Sequence, residues 1–280
     1  QQTENSSGVR HAQFKALRHG MISLVHAITE RLPAQSVQLA SPVQAVLPLE
    51  GNRWMLSIGG EHPRTFVADG LIIATPATRA ATLLAEVDAA LAEDLAQIEY
   101  ASCAVVSLGY RRDQIKHPLN GFGFVVPLVE QRTILSCSFS SEKYRERAPD
   151  GSVLLRVFIG GACQSGLLRL TANQLVALAE REVGMLLQIQ GEPVLRHVTR
   201  QHRAMPQYHI GHRDRVAAIH DRTARHANLA LAGNAYCGIG VPACIQSGQE
   251  AAHRILARFD TSTCAKERAR CAVRRATAES

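Results

Sequence analysis

The chain has 280 residues, 46% of them hydrophobic and 20% charged. That composition can bury a core, so the chain as a whole is not a disordered tail, and no apolar run is long enough for a spanning helix. The net charge of +7 comes from scattered residues apart from Lys266, Arg268, Arg270, Arg274 and Arg275 near the end, and no RNA-binding or zinc-finger motif accompanies it, so a solvated basic surface is expected and no nucleic-acid partner.

Residue 1 is Gln, with no charged-then-apolar leader behind it, so the chain reads as a fragment or a processed product without a signal peptide. Residues 1–16 are polar and unpatterned. Met21, Leu24, Val25, Ile28 and Leu32 then recur at helical spacing and predict an amphipathic helix. Strands are expected at Val37–Leu39, Val43–Leu49 and Arg53–Ile58, with turns at Glu50-Gly51-Asn52 and Gly59-Gly60. Gly70–Ala74 is apolar on both faces, which predicts a central strand of a sheet covered on both sides. Thr75-Pro76-Ala77 opens a helix, and residues 88–97 form another.

From there the pattern changes. Ser102–Tyr110, Gly121–Val126, Thr133–Phe139 and Val153–Ile159 read as four strands of a mostly antiparallel sheet. Thr171-Ala172-Asn173-Gln174 is a capping box for a helix expected to end at Gly191. Arg196–His202 is a further strand and Val216–Ile219 part of a short helix. Asn228–Ala232 is a buried strand. It runs into a glycine-rich turn, Gly233 to Val241, and then a helix with Pro242 in its first turn and Ile245, Gly248, Ala252, Ile255 and Leu256 on one face. The pattern stops after Phe259. Taken together, the residues describe an α/β chain of mixed, α+β character.

Seven cysteines without a C-x-x-C pair fit reduced, cytosolic usage. Twelve histidines without H-E-x-x-H give no metal site, and no nucleophile–base pair marks a catalytic side chain. The chemistry concentrates in the glycine turn. Gly238-Ile239-Gly240-Val241-Pro242-Ala243 matches G-x-G-x-x-A between a strand and a helix, but no second strand follows, so a complete dinucleotide unit is not expected. A tight packing turn remains open as a reading. So does a cradle for a flat anionic ligand, in which small residues let the backbone approach and the helix N-terminus offers free N–H groups.

LALAGNAYCGIGVPACIQSGQEAAHRIL resembles the C-terminal flavin-contacting segment of HemY-type protoporphyrinogen/coproporphyrinogen III oxidases, of the flavin amine oxidase superfamily. HGM at 19–21, SPVQAV at 41–46, DGLIIATPATRAATLL at 69–84, HPLNGFGFVVP at 117–127, SFSSEKYRERAPDG at 138–151, VLLRVFIGGA at 153–162 and AMPQYHIGH at 204–212 extend the resemblance over about residues 14–258. The family's N-terminal G-x-G-x-x-G fingerprint does not precede Met21, so the resemblance implies a C-terminal portion of a longer protein. Ala243 and Tyr144 also depart from the family's usual residues.

The resemblance implies a partial FAD-binding domain of monoamine-oxidase-like fold with an inserted, mostly antiparallel substrate-binding sheet. Its boundaries would be 1–17 for a helical-domain remnant, 18–99 and 207–258 for the FAD-binding domain, 100–206 for the substrate-binding domain and 259–280 for a flexible tail. It implies FAD bound by Val43, Gly233, Asn234, Gly238, Ile239, Gly240 and Val241, and a porphyrinogen walled by Phe122, Val125 and Tyr144. Phe122 and Phe124 are expected on one sheet face and Val125 on the other. Arg111, Arg112, Arg145 and Arg156 are candidates for the substrate's carboxylates. The implied reaction is repeated hydride transfer to flavin N5 with oxygen as reoxidant, in a cytoplasmic enzyme of haem biosynthesis. Protoporphyrinogen against coproporphyrinogen, peripheral membrane contact, a homodimer, another flavin oxidase or desaturase, and a non-catalytic fragment without FAD all stay open.

Overall fold

The computed structural model describes residues 16–276, with the side chains of residues 16–259; the stretch 1–15 and the end of the chain lie outside the described residues. In chain order the elements are α1 (Ile22–Thr29), β1 (Val43–Leu49), β2 (Arg53–Ile58), β3 (Arg64–Ala68), β4 (Leu71–Ile73), α2 (Ala77–Leu84), α3 (Ala89–Ala96) and β5 (Tyr100–Arg111). They continue with β6 (Gly123–Val125), β7 (Ser136–Phe139), α4 (Ser140–Lys143), β8 (Ser152–Gly160), α5 (Ala172–Leu187), β9 (Leu195–Pro206), α6 (His212–Arg225), β10 (Leu229–Leu231) and α7 (Val241–Ala276). The chain divides into two compact units, Gln1–Val37 with Ala101–Ala204, and Gln38–Tyr100 with Met205–Ser280. The mixed helix-and-strand class expected from the sequence is what is found.

In the second unit, β1, β2 and β3 form an antiparallel meander. Gly51 (φ +76°) and Asn52 (φ +59°) turn β1 into β2, a left-handed pair that short hairpins favour. The strand at Arg64–Ala68 has no counterpart in the sequence reading, because its five residues carry no buried alternation of their own and gain their order from pairing with Trp54 to Ile58. Trp54 is 2% exposed beneath the meander, and its indole N–H donates to the Ala227 carbonyl at 3.1 Å. The core continues through Ala77, Ala80, Leu84, Leu91 and Leu95 of α2 and α3 to Ile219, Leu229 and Leu231. Pro76 caps α2 rather than entering it, and the freed Ala77 N–H donates to Tyr100 Oη at 2.9 Å. Asp88 caps α3 by accepting from Leu91 N–H at 2.9 Å and also meets His226 Nε2 at 2.9 Å.

β4 pairs in parallel with β10 in a two-stranded sheet. Leu71 and Ile73 are buried, but Ile72 is 39% exposed, so the strand expected to be covered on both sides has one open face. The reason is that β10 is the strand paired with it among the described residues. At Gly70 an added Cβ would stand 2.7 Å from Ile255 of α7, which fixes how closely that helix and the start of β4 pack. α7 runs on to Ala276, where a flexible tail was expected from residue 259. Residues 260–276 are rich in Ala and Arg, which favour helix without an apolar face, so periodicity alone could not find it.

In the first unit, a five-stranded sheet runs in the order β6-β7-β8-β5-β9. Its inner face joins α5 in one core containing Val106, Leu108, Leu155, Val157, Leu175 and Val183. The four expected strands are present, β6 and β7 shorter than predicted, and β9 extends beyond the expected Arg196–His202. The Thr171–Gln174 capping box opens α5 as predicted. α5 ends at Gln188 (φ +52°), which takes the left-handed position that Gly191 was expected to supply. α1 occupies the middle of the predicted 21–32 helix and buries none of its residues; Val37–Leu39 forms no strand. No helix among the described residues is long and apolar enough to cross a membrane.

Candidate functional site

The glycine turn belongs wholly to the second unit. β10 ends with Ala232 N–H donating to the Ile73 carbonyl at 3.1 Å. Gly233 then takes φ +125°, and its N–H donates to Ser247 Oγ of α7 at 3.1 Å. Gly238 takes φ +152°, and a Cβ there would meet the Ala243 Cβ at 2.8 Å, so both conformation and space require glycine. Gly240 closes the first turn of α7 by accepting from Cys244 N–H at 3.0 Å. Ile239, Gly240, Val241 and Pro242 are exposed, Ile239 to 67%. The structure thus gathers Gly233, Asn234, Gly238, Ile239, Gly240 and Val241 into one loop whose small residues leave the backbone open. Pro242 has no N–H, so the free donors at the helix start are those of its neighbours.

Behind that loop is a network with no signal in the local sequence. Tyr208 Oη donates to the Asn234 carbonyl at 2.5 Å. Burial pushes the Tyr208 hydroxyl up, while a backbone hydrogen bond from Gly238 pulls the other way. The Tyr208 ring stacks on His212, centroids 4.1 Å apart and 12° from parallel. His212 is buried, and its Nε2 lies 3.2 Å from the Tyr236 carbonyl. The turn is therefore held in shape by residues some 26 positions earlier, a separation that spacing rules cannot read.

Val43 stands apart from the turn at the start of β1, beside a register irregularity. Its carbonyl accepts from Arg79 Nη2 at 2.6 Å, and its side chain packs on the core that holds Ala235 and Tyr236. Arg79 had not been singled out.

The residues expected at the substrate lie in the first unit. Val125 is 78% exposed on the outer face of the sheet, and the register carries that face through Ser136 and Phe158 to Val105. Phe124 faces the opposite way, edge-on to Phe139 at 6.1 Å in the inner core. β6 begins at Gly123, so Phe122 immediately precedes the strand; its carbonyl accepts from Phe139 N–H at 3.0 Å. Tyr144 follows α4 rather than lying on a strand, with Lys143 Nζ 5.5 Å from its ring centroid.

The four candidate arginines separate clearly. Arg111 pairs with Asp113 at 3.1 Å, and Arg112 donates to the carbonyls of Ile115 and His117. Arg145 lines a surface hollow with Glu142, Glu146 and Asp150. Arg156 stands in the middle of the outer sheet face between Ser107 and Ser138, its guanidinium 5.6 Å from the Phe158 ring centroid, without an ion pair among the described residues. Chemically, the outer face offers aromatic and aliphatic area around Arg156, while the glycine turn offers an open backbone at a helix start.

Residues 3–256 match the family of flavin-containing amine oxidoreductases. The chain is 29% identical over 243 residues to coproporphyrinogen III oxidase of Bacillus subtilis (strain 168), covering 86% of this chain and 51% of that protein. It is 32% identical to coproporphyrinogen III oxidase of Propionibacterium freudenreichii subsp. freudenreichii, over 90% of this chain and 47% of the relative. It is 31% identical to protoporphyrinogen oxidase of Bos taurus, over 90% and 54%. The chain therefore spans about half the length of the curated relatives it matches. A solved structure from Exiguobacterium sp. 255-15 superposes with TM-score 0.74 at 28% identity, covering 86% of this chain and 51% of that one. A putrescine oxidase variant superposes with TM-score 0.64 at 14% identity, which shows the shared fold.

Proposed function

The chain belongs to the flavin-containing amine oxidoreductase family, and on that premise we propose that it oxidises a porphyrinogen with FAD and molecular oxygen. The observation that carries this reading is the similarity to coproporphyrinogen III and protoporphyrinogen oxidases across 86–90% of the chain. The flavin expected from the sequence agrees with the family.

The turn suits such a cofactor on its own geometry. Gly233 and Gly240 have no neighbour close enough to crowd an added Cβ, so the loop has room for a flat ligand against its backbone. Asn234, Ile239, Gly240 and Val241 would contact the flavin, Gly233 and Gly238 would give the loop its shape, and Val43 would contact the adenine end. When bound, FAD supplies the two-electron acceptor; the protein's part is to position it and shield it. The free N–H groups at the start of α7 and the positive end of that helix favour negative charge near the loop. Tyr208 and His212 hold the loop in that shape before any ligand arrives.

On the substrate side, the outer sheet face with Val125 and Phe158 offers apolar area to a macrocycle, with Phe122 and Tyr144 as further wall residues. Arg156 is the candidate for a substrate carboxylate, because Arg111 and Arg112 are already engaged. No side chain is assigned as a general base. Cytoplasmic location and self-association belong to the same reading and are checked by fractionation and sedimentation.

The test is purification of these 280 residues, incubation with FAD, desalting and a flavin absorbance scan, followed by an aerobic assay of porphyrin fluorescence from coproporphyrinogen III and protoporphyrinogen IX. A retained flavin band with porphyrin formation supports the proposal. A retained band without oxidation of either porphyrinogen refutes the substrate class. Loss of the flavin refutes cofactor binding by this chain.

A further inference from the structure

Against the glycine turn, lined in part by Cys237 and Ala243, lies a second polar site to which the flavin reading assigns no role. A cavity of about 140 Å³ lies where α6, the end of β10 and α7 meet, with His220, Leu231, Tyr236, Ala243, Glu250 and Arg254 on its wall. That is the size of a cavity that takes a benzene ring, or about four or five waters. Two atoms of its lining residues, Tyr236 Oη and His220 Nδ1, are buried without a protein hydrogen-bond partner. Tyr236 is 3% exposed, so its hydroxyl has no alternative in bulk solvent.

The lining is rich in donors. Burial pushes the Tyr236 hydroxyl up, so it keeps its proton and can donate. Burial and the nearby Arg254 guanidinium pull His220 down, so its ring is neutral near pH 7 and can carry its proton on Nδ1. Arg254 adds a permanent positive charge. Its expected partner is Glu250, one helical turn earlier. Glu250 Oε1 instead accepts from Gln246 Nε2 at 2.8 Å, and no Glu250–Arg254 ion pair forms among the described residues. Arg254, the two residues with unpartnered buried polar atoms and the Glu250 carboxylate therefore line one small space, with Leu231 and Ala243 as its apolar wall.

We infer that this cavity binds a small monocarboxylate, from acetate to butyrate in size. The carboxylate accepts from Arg254, Tyr236 Oη and His220 Nδ1, and its short alkyl chain lies against Leu231 and Ala243. Charge-assisted hydrogen bonds of this kind are the strong ones. Glu250 sets the limit on charge, because a second carboxylate would meet it without a free cation. Butyrate is thus preferred over succinate.

The experiment titrates the purified 280-residue chain with sodium butyrate at constant ionic strength, sodium chloride making up the difference. Binding is read by proton saturation-transfer NMR on butyrate and by calorimetric Tm. The expected result is a saturable Tm rise with saturation transfer, weaker with succinate. Arg254→Gln is exposed on α7 and leaves the fold intact, and it weakens the Kd by at least about tenfold, as loss of a charge-assisted pair predicts. Tyr236→Phe weakens it several-fold; if that variant fails to fold, Arg254→Gln decides. No saturation transfer, an unchanged Kd in Arg254→Gln, or an equal Tm rise with chloride overturns the assignment.

Discussion

In β8, Val153, Leu155, Val157 and Ile159 are buried, while Leu154, Arg156 and Phe158 between them are half-buried or exposed. In β4, Leu71, Ile72 and Ile73 are all apolar, yet Ile72 remains 39% exposed. The first strand lies inside a five-stranded sheet covered on its inner face by α5, and its alternation describes that environment. The second belongs to a two-stranded parallel pair, and parallel strands are ordinarily covered on both faces. A strand's pattern thus specifies how many faces it is suited to bury, and the two units satisfy that specification to different degrees.

The sharpest way to break this comparison is to delete the same kind of side chain in each sheet. Leu155→Ala removes a fully buried residue and is expected to cost about 2–5 kcal/mol in urea unfolding. Ile72→Ala, at a half-open position, should cost about 1 kcal/mol or less. Equal losses would mean that Ile72 is as well packed as Leu155.

Next in size is Gly238→Ala. The residue combines a φ of +152° with a Cβ contact of 2.8 Å, and strained positions of this kind cost about 1–3 kcal/mol. The loop would also lose its shape, so flavin retention after desalting should fall with it. Gly184→Ala in α5 is the opposite case. It sits in a helix interior with nothing within 4 Å of its Cβ position, and alanine should stabilise by about 0.5–1 kcal/mol. If both substitutions shift the urea midpoint in the same direction, the backbone argument for the turn is wrong.

Asp88 gives a comparable effect with a pH signature. The hydrogen bond from His226, then that from the Leu91 backbone, holds its carboxyl below the ordinary range. Its contribution is therefore fully present above the unfolded-state pKa and is lost as pH falls through the folded one. Asp88→Ala should cost about 1 kcal/mol as a lost helix cap at pH 7. The gap between variant and wild type should close as acid approaches the folded value; a gap constant down to that pH would rule out ionisation as its source.

How far the sequence could be read depended on whether order was local. Arg53–Ile58 was placed to the residue, and Thr171 and Gln174 announced their helix, because turn and cap chemistry act over a few residues. The strand–glycine–helix unit was legible because φ > 0 and a helix start both select residue types within one stretch. β3 was not, since Arg64–Ala68 is ordered by its partner strand. Tyr208 and His212, which support the turn, lie too far along the chain for any spacing rule. Arg156 could be listed with three other arginines but not separated from them, because its distinction, a place between Ser107 and Ser138 on the outer sheet face, exists only once the strands are paired.

One buried ring offers a further use. Trp54 is the sole tryptophan of the sequence, and it lies under the meander with its N–H held by Ala227. Intrinsic emission excited near the red edge therefore originates in one unit, and the other is dark at that wavelength. Far-ultraviolet circular dichroism sees helices and strands of both. Recording the two signals on one denaturant series turns the chain into its own two-channel recorder: coincident curves mean that the units melt as a single cooperative block, and separated curves give each unit its own midpoint without a label or a truncation.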